Sequence, residues 1–294
     1  MKFVGYREGG RRKVGVLVAE GSQVVPLAAA LPGALADDAG LTELIEQWDV
    51  LGGKLDVGAA AVDLGGLALT APIPVPRRNI FCVGRNYREH AEEFGRSGYD
   101  STGGTSHQPD APVVFTKAPS TVVGPGADID PHPEVTSELD YEAELGVIIG
   151  RGGRGISVEA AADHVWGYTI VNDVTARDLQ KTHKQWFLGK SLDTFCPMGP
   201  YAVTADEVGD GPLEVVCTVN GEVRQRASTA DLIFDIPTII ATISAGITLQ
   251  PGDVIATGTP AGVGIGFTPP RFLRGGDVVE ITITGLGTLT NRVA

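Results

Sequence analysis

The chain has 294 residues, 40 of them glycine and 19 proline, 43% hydrophobic residues and a formal net charge of −13. That length can bury a large core, as one big domain or one domain plus a small appendage. The acidity leaves no basic stripe to neutralise phosphates, which argues against nucleic acid, and no apolar run approaches the length of a membrane span.

In chain order, strands are expected over residues 3–6, 14–18 and 23–26, followed by a helix over 41–48. Residues 1–70 thus read as a small separate α+β unit, and the proline-rich stretch 69–78 reads as an extended linker into a second unit, 71–294. A buried strand over 80–84 leads into helical composition over 85–94. Residues 95–110 are polar and glycine-rich with no period, which suggests disorder or a lid, and 88–110 is expected to be mobile. Strands follow over 139–150 and 166–173, with helices near 158–164, after Asp173 and over 236–245. Turns such as Asn220-Gly221 separate further strand-like runs to the end.

Three cysteines, Cys82, Cys196 and Cys217, are widely spaced and lack a Cys-x-x-Cys pattern. They read as small core residues in a reducing compartment. Residues 1–7 lack the apolar core of a signal peptide, so the expectation is a soluble, cytoplasmic protein.

Glu142 and Glu144 lie two apart in an expected strand, so they share one face while Tyr141, Ala143, Leu145 and Val147 share the other. Two ionised carboxylates on one face of a half-buried strand repel each other and are costly to desolvate. A bound cation removes both penalties, and carboxylates suit hard divalent ions, Mg²⁺, Mn²⁺ or Ca²⁺. The competing reading is an exposed acidic strand face. Asp173, ending a second apolar run, turns the balance toward a metal site.

His90 and Glu93 lie three apart in a helical stretch and can share a face. A carboxylate that accepts a hydrogen bond from imidazole orients it and raises its basicity, giving a dyad able to deprotonate water. The alternative is an ordinary surface pair. Phe94, standing where a second histidine would be needed, excludes a zinc-protease helix. Arg177 and Gln180 share a face of the helix expected after Asp173, and Lys190 lies a short loop beyond. Together they could bind a substrate carboxylate or oxo group; each alone reads as a surface residue.

Gly189-Lys190-Ser191 mimics the end of a P-loop, but Lys184 stands where the first glycine is required. The run Gly262-Val-Gly-Ile-Gly266 leads into Phe-Thr-Pro-Pro rather than a helix, so it lacks the N-terminus that binds pyrophosphate. No Gly-x-Ser-x-Gly nucleophile elbow occurs.

Six blocks, taken in order, resemble the fumarylacetoacetate hydrolase family from about residue 79 onward. They are Cys82-Val-Gly-Arg-Asn-Tyr87 with His90 and Glu93, Val114-Phe-Thr-Lys-Ala-Pro-Ser120, Leu139-Asp-Tyr-Glu-Ala-Glu-Leu-Gly146, Asn172-Asp-Val-Thr-Ala-Arg-Asp-Leu-Gln180, Gly189-Lys-Ser-Leu-Asp-Thr-Phe-Cys-Pro197 and Gly252-Asp-Val-Ile-Ala-Thr-Gly-Thr-Pro-Ala-Gly-Val-Gly264. The resemblance implies an α+β, β-rich fold with a mixed β-roll core, usually as a homodimer, and a bound Mg²⁺ or Mn²⁺, Ca²⁺ in some members. The small N-terminal α+β unit resembles the extra domain of many bacterial members.

The metal ligands would fall on Glu142, Glu144 and Asp173 and the water-activating dyad on His90 and Glu93. Lys117, Arg177, Gln180, Lys190 and Thr259 match positions around the substrate or its oxyanion, with Arg85 a further candidate. Lys190 would add charge or donate a proton. The implied activity is hydrolysis of a carbon–carbon bond in a β-diketo acid of the acylpyruvate or fumarylpyruvate type, with the metal stabilising the enolate. Rivals with the same parts are decarboxylation of oxaloacetate and isomerisation or tautomerisation of an unsaturated 2-oxo dicarboxylic acid of aromatic catabolism. A metal-stabilised binding module is the non-enzymatic alternative, and three carboxylates, which leave coordination positions open, weigh against it.

Overall fold

Short β-branched runs punctuated by glycine and proline favour strands over helices. The computed structural model, which describes residues 1–36, 38–99 and 109–294, has the α+β, β-rich class expected. A large mixed sheet runs in the order Val62–Asp63, Gln23–Pro26, Arg11–Val18, Lys2–Glu8, Cys196–Thr204, Val165–Asn172, Ala143–Ile149, Val254–Ala256, Ile80–Gly84, Val113–Lys117. Most neighbours are antiparallel, but Val254–Ala256 runs parallel to Ile80–Gly84. A second sheet of five strands, including Glu214–Val219 and Val278–Ile283, packs against the first. Among the described residues no helix is long and apolar enough to cross a membrane.

The first seventy residues join this sheet directly. Phe3 pairs with Ala202 across the boundary between Lys2–Glu8 and Cys196–Thr204. The stretch expected as a linker is packed instead: Ala68–Thr70 pairs with Lys2–Glu8, and Ala71 and Ile73 are buried in the same apolar cluster as Ile80 and Cys82. Phe3, Trp48 and Trp166 close the junction, with ring centroids 5.4 to 6.0 Å apart. Tilted and edge-on aromatic contacts of this kind add to the area they bury.

Two further local expectations change. The strand foreseen over 139–150 is broken: Leu139–Asp140 pairs with Thr175–Ala176, and the main strand begins at Ala143. Period-2 patterning cannot register this break, because parity continues across Tyr141 and Glu142. Near 158–164 only a 3₁₀ turn forms, Ala161–His164. The helix Arg88–Arg96 buries His90, Ala91 and Phe94, and Phe94 meets Trp186 at 6.1 Å. Of the segment expected to be mobile, residues 100–108 lie outside the described residues.

Because Phe3 ties the N-terminal strands to Trp166, Phe3→Ala should cost about 3–5 kcal/mol, the usual range for deleting a buried aromatic ring. Denaturant unfolding followed by tryptophan emission and by far-UV circular dichroism should give one shared, earlier transition. Two separated transitions, with only the first moved, would mean that residues 1–70 fold independently.

Candidate active site

Glu142, Glu144 and Asp173 converge where two neighbouring strands end, and they place one oxygen each within 4.8 Å of one another. All three are buried, Glu144 within the strand Ala143–Ile149, Glu142 just before it and Asp173 just after Val165–Asn172, so the exposed acidic strand face considered from sequence does not occur. Ala143 and Leu145 pack toward the five-stranded sheet and Val147, further along the same face, toward the helix Ile236–Ser244, while Ile148 on the opposite face joins the cluster of Ile80 and Cys82. Asn172 completes the break before the strand, accepting the Glu142 amide at 3.1 Å. The Glu142 carbonyl in turn accepts the Asp173 amide at 2.9 Å.

Two buried ammonium groups answer the carboxylates. Lys117 Nζ donates to Asp173 Oδ1 at 2.6 Å and to the Val174 carbonyl at 3.0 Å. Lys190 Nζ lies 2.8 Å from both Glu142 Oε2 and Asp173 Oδ2, and 5.0 Å from the Phe115 ring centroid. Arg177 reaches Glu142 Oε1 at 2.7 Å and donates to Gln180 Oε1 at 3.1 Å. Burial disfavours the charged forms of Glu142 and Lys190, and their mutual fields oppose it. Burial pushes the Glu142 carboxyl up, but Lys190, Arg177 and His90 outweigh it and hold it at about 2. Burial lowers the Lys190 ammonium, yet Asp173 and Glu142 raise it overall.

Glu144 is the exception. It is 1% exposed and accepts the Gly258 amide at 2.8 Å. Burial, then Asp173 and Glu142, push its carboxyl well above the ordinary range. A hard divalent cation would offset this poorly compensated charge, and three convergent carboxylates are the donor set such ions take. The residues fit a metal.

The dyad forms as expected. His90 Nδ1 lies 3.1 Å from Glu93 Oε2, and a carboxylate can only accept, so Nδ1 carries a hydrogen and Nε2 is the ring nitrogen left to exchange a proton. The second Glu93 oxygen accepts the Gly262 amide at 2.9 Å. Gly266 is required beside it, because a Cβ there would collide with the Glu93 carboxylate. His90 is 4% exposed and near enough to Glu142 to add to its field. The surface-pair alternative is therefore excluded. A cavity of about 670 Å³ opens against Glu93, lined also by Arg96, Phe267 and Pro270.

Of the other residues expected to surround a substrate, Gln180 is held through Arg177, and Thr259 follows the Gly258 amide that binds Glu144. Arg85 stands at the end of the strand Ile80–Gly84 in the left-handed region, φ 55°, next to Asn86, which is tied to the Thr257 carbonyl at 2.8 Å. Sequence reasoning missed Gln225, a buried amide that donates to Thr259 Oγ1 at 2.7 Å and accepts the Ala143 amide at 3.1 Å. It also missed Asp140, which is bonded to Arg177. A single Gln in an otherwise alternating strand carries no pattern; Asp140 had one available signal, its place in an apolar run two residues before Glu142. The three cysteines are free and buried, and burial pushes each thiol up, as core residues require.

Residues 79–294 match the family described as fumarylacetoacetate (FAA) hydrolase C-terminal. An oxaloacetate tautomerase, YisK, of Bacillus subtilis strain 168 is 54% identical over 239 residues, covering 81% of this chain and 77% of that protein. A fumarylacetoacetate hydrolase structure from psychrophilic Exiguobacterium antarcticum superimposes with a TM-score of 0.85 at 43% identity, covering 100% of this chain and 99% of the other. A maleylpyruvate hydrolase from Sphingobium sp. SYK-6, solved with manganese(II) and pyruvate, gives a TM-score of 0.77 at 32% identity, with coverage of 100% and 99%. With its carboxylate cluster, its dyad and three quarters of its length accounted for in this way, the chain belongs to the fumarylacetoacetate hydrolase family.

Proposed function

We propose that this protein is a metal-dependent tautomerase of a small 2-oxo dicarboxylate such as oxaloacetate, with Mg²⁺ or Mn²⁺ held by Glu142, Glu144 and Asp173. The observation that carries the reading is the buried His90 beside those carboxylates, its Nδ1 fixed by Glu93 and its Nε2 left as the proton carrier. The 54% identity to an oxaloacetate tautomerase supports it. Ca²⁺ suits the same oxygen donors. When bound, the metal would supply Lewis-acid polarisation of the 2-oxo group.

The chain's own residues then do the rest. Lys190 and Arg177 are buried among the carboxylates, where Lys190 balances Glu142 and Asp173 and Arg177 balances Glu142. Nε2 of His90 takes the enol hydroxyl proton, and the resulting imidazolium, stabilised by Glu93, returns a proton to the adjacent carbon. No water is consumed, and the net change is one proton moved from oxygen to carbon. The homodimer implied by the family resemblance is part of the proposal.

A second reading keeps the hydrolysis expected from the dyad. The same Nε2 can deprotonate a water that attacks the distal carbonyl of an acylpyruvate. Two observations favour it: the cavity that reaches Glu93, and the likeness to a maleylpyruvate hydrolase.

Enzyme supplied with Mn²⁺ should speed the decay of enol oxaloacetate, followed by its ultraviolet absorbance, and release little pyruvate from acetylpyruvate. His90→Ala should lower the rate by about 10²–10⁴-fold, the usual share of general acid–base catalysis. Pyruvate release outpacing enol decay would make hydrolysis the principal reaction.

Metal binding should also depend on pH, with a sign set by Glu144. Its carboxyl, pushed up by burial and by Asp173 and Glu142, holds its proton to higher pH than an ordinary glutamate. Mn²⁺ must displace that proton, so affinity should fall as pH falls, and calorimetry in buffers of different ionisation enthalpy should register proton release. Glu144→Gln should lose both the release and most of the affinity. Tight, pH-independent Mn²⁺ binding by that variant would remove Glu144 from the ligand set.

A further inference from the structure

Asp140 is fully buried, and each of its carboxylate oxygens accepts two N–H groups. Oδ1 takes the amides of Tyr141 at 2.9 Å and Gly264 at 2.6 Å. Oδ2 takes the Ile265 amide at 3.2 Å and Arg177 Nε at 2.8 Å. Its two sets of partners lead to the two halves of the site. Arg177 continues to Glu142 Oε1 at 2.7 Å. The turn holding Gly264 and Ile265 presents the Gly262 amide to Glu93 at 2.9 Å, and Glu93 orients His90.

We propose that Asp140 is a positioning residue: it fixes the His90–Glu93 pair relative to the carboxylate cluster by gripping the turn over 262–266 and Arg177 at once. The proposal rests on reading those two groups as one catalytic centre. A rigid link is needed there, because proton transfer demands hydrogen-bond reach between Nε2 and the substrate, and a misplacement of about 1 Å can cost 10²-fold. A carboxylate suits the task where an amide does not. Asparagine offers one acceptor oxygen, and its NH₂ would face two N–H donors, so the turn loses an acceptor in either orientation, and in one of them Arg177 loses its partner as well. Asp140→Asn keeps volume, so its effects are not those of a cavity.

The hydroxyl of Tyr141 provides an independent handle on the same turn, donating to the Gly262 carbonyl at 2.8 Å. Tyr141→Phe removes that bond without touching Asp140 or Glu93.

The test labels the five histidines with ¹⁵N and assigns the His90 ring by its loss in His90→Ala. In Asp140→Asn the His90 Nδ1 resonance should shift or broaden away, and kcat should fall by about 10²-fold. In Tyr141→Phe the same resonance should move less, with kcat down by about two- to tenfold, the worth of one hydrogen bond. Added to Glu93→Gln, Asp140→Asn should cost less than it does alone, since the dyad it positions is already broken. Losses that multiply in the double variant, or a His90 resonance unmoved in both Asp140→Asn and Tyr141→Phe, would overturn the proposal. Should Asp140→Asn fail to fold, Tyr141→Phe alone decides by the same resonance. If the parent enzyme neither tautomerises oxaloacetate nor hydrolyses acetylpyruvate, the functional reading fails, while the resonance still decides the role of Asp140.

Discussion

The structure depends on a balance of buried charge. Glu142, Glu144 and Asp173 sit where water cannot screen them, and ionised groups in such a place survive only with partners. Those partners come from far along the chain. Lys117 ends the strand Val113–Lys117 at one edge of the large sheet, and Arg177 and Lys190 come from the helices Arg177–His183 and Phe187–Lys190. Each cation is itself buried and would be costly without the carboxylates. The sheet order therefore serves the chemistry: it brings opposite charges together that no local segment could pair.

Carboxylates in and beside the site also solve a backbone problem. The stretch over 254–265 passes through the interior with little regular structure after Ala256, and buried amides need acceptors. Glu144 takes the amide of Gly258, Glu93 that of Gly262, and Asp140 those of Gly264 and Ile265. An irregular turn is thus held by side chains that the site requires for other reasons. This sharing explains why the acidic residues are not free to drift: moving one would orphan a buried N–H as well as disturb the site.

One imidazole lone pair serves both proton carriage and water activation, so the presence of the dyad does not itself select the reaction. Selection lies in what stands next to Nε2. In this chain a cavity opens against Glu93 and cations surround Glu142 and Asp173, and one fold hosts different chemistries through local differences of that kind.

The sequence by itself determined the strands, the β-rich class and the chemical groups. Alternation and β-branched content marked residues 80–84 and 166–173, which fold as Ile80–Gly84 and Val165–Asn172. Carboxylates in apolar runs marked Glu142, Glu144 and Asp173, because such residues are expensive unless paired. Three-residue spacing marked His90 with Glu93, whose contact is local to one helical turn. Only the tertiary structure decided the rest. The packing of Ala71 and Ile73 into the core, the break at Tyr141 and Glu142, the placing of Lys117 beside Asp173, and the role of Gln225 and Asp140 all depend on groups tens to more than a hundred residues away. Periodicity reports which face a side chain takes; it holds no information on which distant charge or amide will meet it there.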